Sequence, residues 1–177
     1  MANLKEIRIR IGSVSSTMQI TSAMKMVSAA KLKKAQDAIT AMRPYSNKLS
    51  ELMQSFSGAS AGGNKSYTEN RTLNKVLVVV ISSNRGLCGA FNANIAKEAL
   101  VFKSKEKFRD SQIDFLTIGK KINDTLSKTE TIIQNDSDVF EELNYENVGK
   151  IADELMDRFV SNDYDHIEII YNSFKNA

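Results

Sequence analysis

This sequence predicts an α/β fold: one long N-terminal coiled-coil helix, followed by a small three-layer domain built on a mostly parallel sheet. Three observations predict it. Residues 4–56 carry an apolar heptad with almost no glycine, residues 75–82 form an unbroken β-branched run, and strand-like and helix-like segments alternate from there on.

The helix comes first. Its seam runs through Leu4, Ile7, Ile11, Val14, Met18, Thr21, Lys25, Ser28, Leu32, Ala35, Ile39, Met42, Ser46, Leu49, Met53 and Phe56, and twelve of these sixteen positions are apolar. A period of 3.5 residues is that of a coiled coil. At 1.5 Å per residue the helix extends roughly 80 Å, longer than the domain behind it, so it must project. The seam faults at Thr21, Lys25 and Ser28, where the apolar residues shift to Ile20, Ala23, Met24 and Val27. Such a shift turns the apolar face around the axis or marks a second contact surface. Pro44 removes a backbone donor and predicts a bend or break just before it. A seam this long needs a partner, because a lone helix in water gains little from propensity.

Small and polar residues, SGASAGGNKSYTENRT, follow as a flexible connection. The organisation is therefore helix over 1–57, linker over 58–74 and α/β domain over 75–177. In that domain KVLVVVIS (75–82) reads as a strand covered on both faces. IDFLTIG (113–119) and HIEIIYNSF (166–174) are further strands, and TETIIQND adds a weak edge strand. Helices are predicted over 93–108, over the short KINDTLSK, and over 147–162. This alternation describes a Rossmann-like layer of helices across a sheet.

Charge is divided unevenly. Residues 1–57 hold nine Lys/Arg against three Asp/Glu, a net +6, while the remainder is −3. The helix therefore suits an acidic partner: nucleic acid, anionic lipid or an acidic protein surface. No apolar run reaches the 18–20 residues or so of a membrane span. One cysteine and one histidine exclude an internal disulfide and argue against a His/Cys metal site, so the reading is a reducing compartment.

The best site candidate is the turn SSNRGLCGAFN (82–92) after the first strand. Glycines between a strand and a helix can cradle a phosphate, but Gly86 and Gly89 match neither the dinucleotide fingerprint nor the P-loop. A tight structural or partner-facing turn is the simpler reading; the alternative is a nucleotide-binding α/β domain with a dimerising helix. Cys88 and His166 do not form a catalytic dyad. One follows the C-terminal end of a strand and the other begins a strand, roughly 20 Å apart over six residues. The acids Asp136, Asp138, Glu141 and Glu142 lack metal-ligand spacing and read as a solvated loop. Lys31, Lys33 and Lys34 have no interleaved aromatics, so nucleic-acid binding is not expected.

Three segments together resemble a known family. KEIRIRIGSVSSTMQITSAMKMVSAAKLKKAQ (5–36), SSNRGLCGAFN (82–92) and IIYNSFKNA (169–177) resemble the N-terminal helix, the turn after the first strand and the last domain strand of F-type ATP synthase gamma subunits. The resemblance spans the whole chain. Asn84 departs from it, since an acid is more usual there, and the inserted cysteine pair of chloroplast members has no counterpart. The family's C-terminal helix, which pairs with the N-terminal one, is also missing from these residues, which reads as a truncated form.

The resemblance implies a central rotary shaft that couples proton translocation to ATP synthesis or hydrolysis, with catalytic residues on beta and none here. It implies no metal and no cofactor. Its partners would be the alpha and beta subunits of the hexamer, the epsilon subunit and the c ring, at the cytoplasmic face of the bacterial inner membrane, peripherally. Met24 and Lys25, at the fault, and the turn residues Arg85, Gly86, Leu87, Cys88 and Gly89 would face beta. Ile7, Ile11, Val14, Met18, Leu32, Ile39 and Leu49 would form the seam, through which the chain alone would self-associate.

Overall fold

The computed structural model describes residues 3–59, 67 and 71–175; of 56–59 it describes the backbone alone. The chain falls into two compact units, Met1–Gly63 and Asn64–Ala177.

The first unit is helix α1, Leu4–Ala59, 56 residues long. Asn3 starts it, its side-chain oxygen accepting the Lys5 N–H at 3.3 Å, as an N-cap does. Pro44 does not break the helix. The ring leaves the Thr40 carbonyl without its usual donor, a cost of about 3 kcal/mol in a helix interior. Of the bend or break expected before Pro44, the break is corrected, since the helix runs on through it. Around the fault the hydroxyls bond back along the helix: Thr17 Oγ1 donates to Ser13 O at 2.9 Å and Thr21 Oγ1 to Thr17 O at 2.8 Å. This satisfies the hydroxyls within the helix without adding to its stability.

The second unit is a four-stranded sheet in the order β3-β2-β1-β4, every pairing parallel. Its strands are β1 (Lys75–Ile81), β2 (Gln112–Ile118), β3 (Ile132–Asn135) and β4 (His166–Ile170). Strand β1 is central, and Val76 to Val80 are at most 1% exposed because both faces are covered. On one face Val76, Val78, Val80 and Phe115 pack with Ile95, Ala99 and Phe102 of α2 (Phe91–Lys103) and with Ile122 and Leu126 of α3 (Lys120–Leu126). On the other, Leu77, Val79, Leu116 and Tyr164 meet Ile151 and Leu155 of α4 (Tyr145–Val160). These are the three layers the sequence predicts.

Most boundaries fall within a few residues of expectation, and two differ by four or more. The last strand ends at Ile170 rather than 174, because its partner β1 runs out: Val80 pairs with Ile170, one residue before β1 stops. Beyond it, Asn172 Nδ2 donates instead to Phe91 O at 3.0 Å. The first domain helix ends at Lys103 rather than 108. Ser104 Oγ bonds Val101 O at 2.8 Å, and a single turn, Glu106–Phe108, then lays Phe108 against Phe102 with ring centroids 4.4 Å apart.

Helix α4 contains no fully buried residue and is held partly by polar contacts. Gln134 Nε2 donates to Glu154 at 2.9 Å and Arg158 donates to Glu154 at 2.8 Å. The Gln134 bond first, and the Arg158 bond next, hold the Glu154 carboxyl below its ordinary range.

Candidate partner-facing turn

The 82–91 turn divides into a rooted half and a projecting half. Ser82, Ser83 and Asn84 are rooted at the carboxyl ends of the strands. Helix α3 starts at Gly119, which has no side chain to cap it, so the turn supplies the caps from elsewhere. Asn84 Oδ1 accepts the Lys120 N–H at 2.9 Å, Ser83 O the Lys121 N–H at 3.3 Å, and Ser82 Oγ the Ile122 N–H at 3.2 Å. Asn84 Nδ2 also donates to Ser137 O at 3.0 Å, and Ser137 Oγ accepts the Gly119 N–H at 3.0 Å. The ends of β1, β2 and β3 are thereby tied into one knot.

Gly119 is dictated by this closeness. Its φ is +125°, and a Cβ there would lie 2.5 Å from Ser82 Oγ. The glycine serves packing, and the first amides of α3 are already spent on protein acceptors.

From Arg85 to Gly89 the turn is exposed throughout. Leu87 and Gly89 both have left-handed backbone, φ 58° and 59°, and the Leu87 side chain is fully exposed. For leucine such a conformation is uncommon, and it persists only where the surroundings impose it. Here Asn92 imposes it: its Nδ2 donates to Arg85 O at 3.3 Å and to Cys88 Sγ at 3.1 Å, and its Oδ1 accepts the Ser83 N–H at 3.2 Å. Arg85 makes no ion pair among the described residues. Lys120, across the same depression, pairs with the exposed acids Asp138 (3.6 Å) and Glu141 (3.8 Å). The product is a stiff loop carrying a bare aliphatic tip beside a free cation. That suits contact with another surface better than chemistry.

His166 plays no part here. Its Nε2 lies 3.0 Å from Glu168, its ring stacks on Phe108 at 5.6 Å, and its register with Val76 places it at the opposite end of β1 from the turn. Among the described residues no group of acids, Cys and His could hold a metal ion, and no helix is long and apolar enough to cross a membrane.

In the helical unit the seam residues are uncovered. Ile11, Val14 and Met18 are 63–68% exposed, Ile7, Leu32 and Leu49 nearly half exposed, and Ile39 half-buried. Met24 is 61% exposed, and Lys25 beside it is exposed too.

A profile of the ATP synthase family matches residues 3–177. The whole chain is 62% identical to the ATP synthase gamma chain of Flavobacterium psychrophilum and 59% identical to that of Flavobacterium johnsoniae. The chain belongs to the ATP synthase gamma-chain family. The gamma chain of Geobacter sp. strain M21 is 42% identical, again over the full length of this chain. The chain spans about 62% of the length of each of these relatives.

Sequence reasoning found the gamma-family turn but missed what roots it. Ser82 and Asn84 lie in the turn motif without showing what they cap, Ser137 lies in no motif, and the one visible signal is that Gly119 leaves α3 without a cap of its own.

Proposed function

We propose that this chain forms part of the central shaft of an F-type ATP synthase and couples proton translocation to ATP synthesis or hydrolysis. It carries no catalytic residue; its partners are the alpha and beta subunits of the hexamer, the epsilon subunit and the c ring. It works peripherally, at the cytoplasmic face of the bacterial inner membrane. The observation that carries this reading is the pairing of an uncovered heptad helix with an α/β unit in a gamma-family sequence. A helix that exposes this much apolar surface is built to be covered.

In this reading Met24 and Lys25 face beta at the fault in the seam, and the turn Arg85–Gly89 is a second contact with beta. The +6 charge of residues 1–57 suits acidic loops on that partner. ATP hydrolysis belongs to other subunits.

A chimera tests it. Residues 1–177 replace the matching part of the gamma chain of Flavobacterium psychrophilum, and the complex is reconstituted in vesicles. ATP-driven proton pumping is expected. A chimera that assembles and hydrolyses ATP but pumps no protons, or turnover by the purified chain alone, sinks the reading.

A further inference from the structure

The chain enters the α/β unit under a double fastening. Arg71 Nη1 donates to Phe159 O at 2.7 Å and reaches Tyr164 O at 3.4 Å. Its guanidinium lies 4.3 Å from the centroid of the Phe159 ring, and Tyr67 stacks on the same ring at 6.3 Å. Three residues on, Asp165 Oδ2 accepts the N–H groups of both Asn74 and Lys75 at 2.9 Å. The receiving groups of these contacts belong to one corner, residues 159–165, where α4 turns into β4.

The chemistry suits the place. The last carbonyls of a helix lack donors and carry partial negative charge, and a guanidinium can satisfy them while its plane rests on an aromatic face. A carboxylate that accepts two amides makes charge-assisted bonds, stronger than neutral ones. The corner is itself fixed. Asn162 has φ 63°, the amides of Asp163 and Tyr164 return to Arg158 O at 3.0 and 3.4 Å, and Tyr164 Oη reaches the buried Asp114 of β2 at 3.1 Å.

We propose that the 159–165 corner is a mechanical anchorage for the chain arriving from α1. A pull or twist along that chain enters the unit at the α4–β4 corner and passes through Tyr164 and Asp114 to β2. Without the anchorage it would act on the N-terminal end of β1 and open the Lys75–Gln112 and Val76–His166 pairs one after another. The use of such an anchorage in a rotating shaft rests on the function proposed above. The fastening itself does not, and it is tested separately.

Limited trypsin digestion of the full chain reads the first fastening directly, since Arg71 is a cleavage site. Phe159→Leu keeps that site and removes the ring, and Arg71→Lys keeps charge and site but loses the fork. Each is expected to speed cleavage after residue 71 about tenfold, the scale of losing a partly desolvated cation–π contact in the first and of weakening a hydrogen bond from a charged donor in the second. Asp165→Ala is expected to speed hydrogen exchange at Asn74 and Lys75 by a similar factor, about tenfold. Amides of Val76–Val80 should exchange as in the parent chain throughout. Should Phe159→Leu unfold the sheet, Arg71→Lys decides. Cleavage after Arg71 in the parent chain as fast as in the urea-unfolded chain overturns the proposal. A variant that leaves its own readout unchanged overturns the fastening it tests.

Discussion

Tyr164 donates its phenol hydrogen to the carboxylate of Asp114 at 3.1 Å, reaching across the central strand from the start of β4 to β2. Both residues are under a tenth exposed. Burial first, and the Asp114 charge second, push the Tyr164 hydroxyl up to about 12 from 10. The unfolded phenol therefore loses its proton two pH units before the folded one does. Stability from this group is whole below pH 10 and falls as pH rises from 10 to 12. The loss should be on the order of 2–3 kcal/mol, read as a drop in urea midpoint. Tyr164→Phe should cost roughly 1–3 kcal/mol at neutral pH and flatten that alkaline slope. An equally steep slope in the variant would refute the assignment.

Asn84 uses both ends of its amide, accepting from Lys120 and donating to Ser137. Asn84→Ala loses both bonds and should lower stability by roughly 1–3 kcal/mol. Asn84→Asp keeps the acceptor and adds a favourable negative charge at the start of α3, but has no hydrogen for Ser137 O. Its cost should be about 1 kcal/mol less than that of alanine. Denaturant titration of the three chains gives the order, and an aspartate variant worse than the alanine one would show that the Ser137 bond dominates.

The bare seam makes a prediction about the chain by itself. Ile7, Ile11, Val14, Leu32 and Leu49 expose one apolar stripe to water. Purified chain should therefore self-associate through α1 in sedimentation experiments, or lose helix there as concentration falls. Ile11→Lys with Val14→Lys should shift it toward monomer. A monomer with a protease-resistant helix at every concentration would contradict this.

Lys25 separates stability from coupling. It breaks an apolar seam, and leucine there should strengthen helix pairing by about 0.5–1 kcal/mol. Under the proposed function Lys25 faces beta, so in a reconstituted complex Lys25→Leu should change protons pumped per ATP hydrolysed while the fold survives. An unchanged ratio removes Lys25 from the partner contact.

Much of the fold could be read in advance, because burial writes itself into composition. Val76–Val80 could only be a strand covered on both sides, and the heptad from Leu4 could only be a long helix. The end of β4 was hidden because it is set by the length of its partner, not by Tyr171 or Phe174 themselves. Pro44 left bend and break both open in the sequence, and the unbroken helix excludes only the break. The Ser82–Asn84–Ser137 knot joins three strand ends far apart in sequence, and no local pattern records such a meeting. The roles of Met24 and Lys25 depend on the chemistry of a partner surface, which is written in another chain.

The strand order also sets when the unit can close during synthesis. Strand β1 is made first and finds β2 soon after, but its other neighbour, β4, is made only after α2, β2, α3, β3 and α4. Until His166–Ile170 leaves the ribosome, the most apolar strand of the chain keeps an open edge, with unpaired amides and carbonyls beside the aliphatic residues Val76 to Ile81. That interval is when the nascent chain is most exposed to wrong pairings, and parallel pairing over such a sequence distance is slow. A holdase bound to the nascent chain would guard this strand longest, and its release would coincide with the arrival of β4.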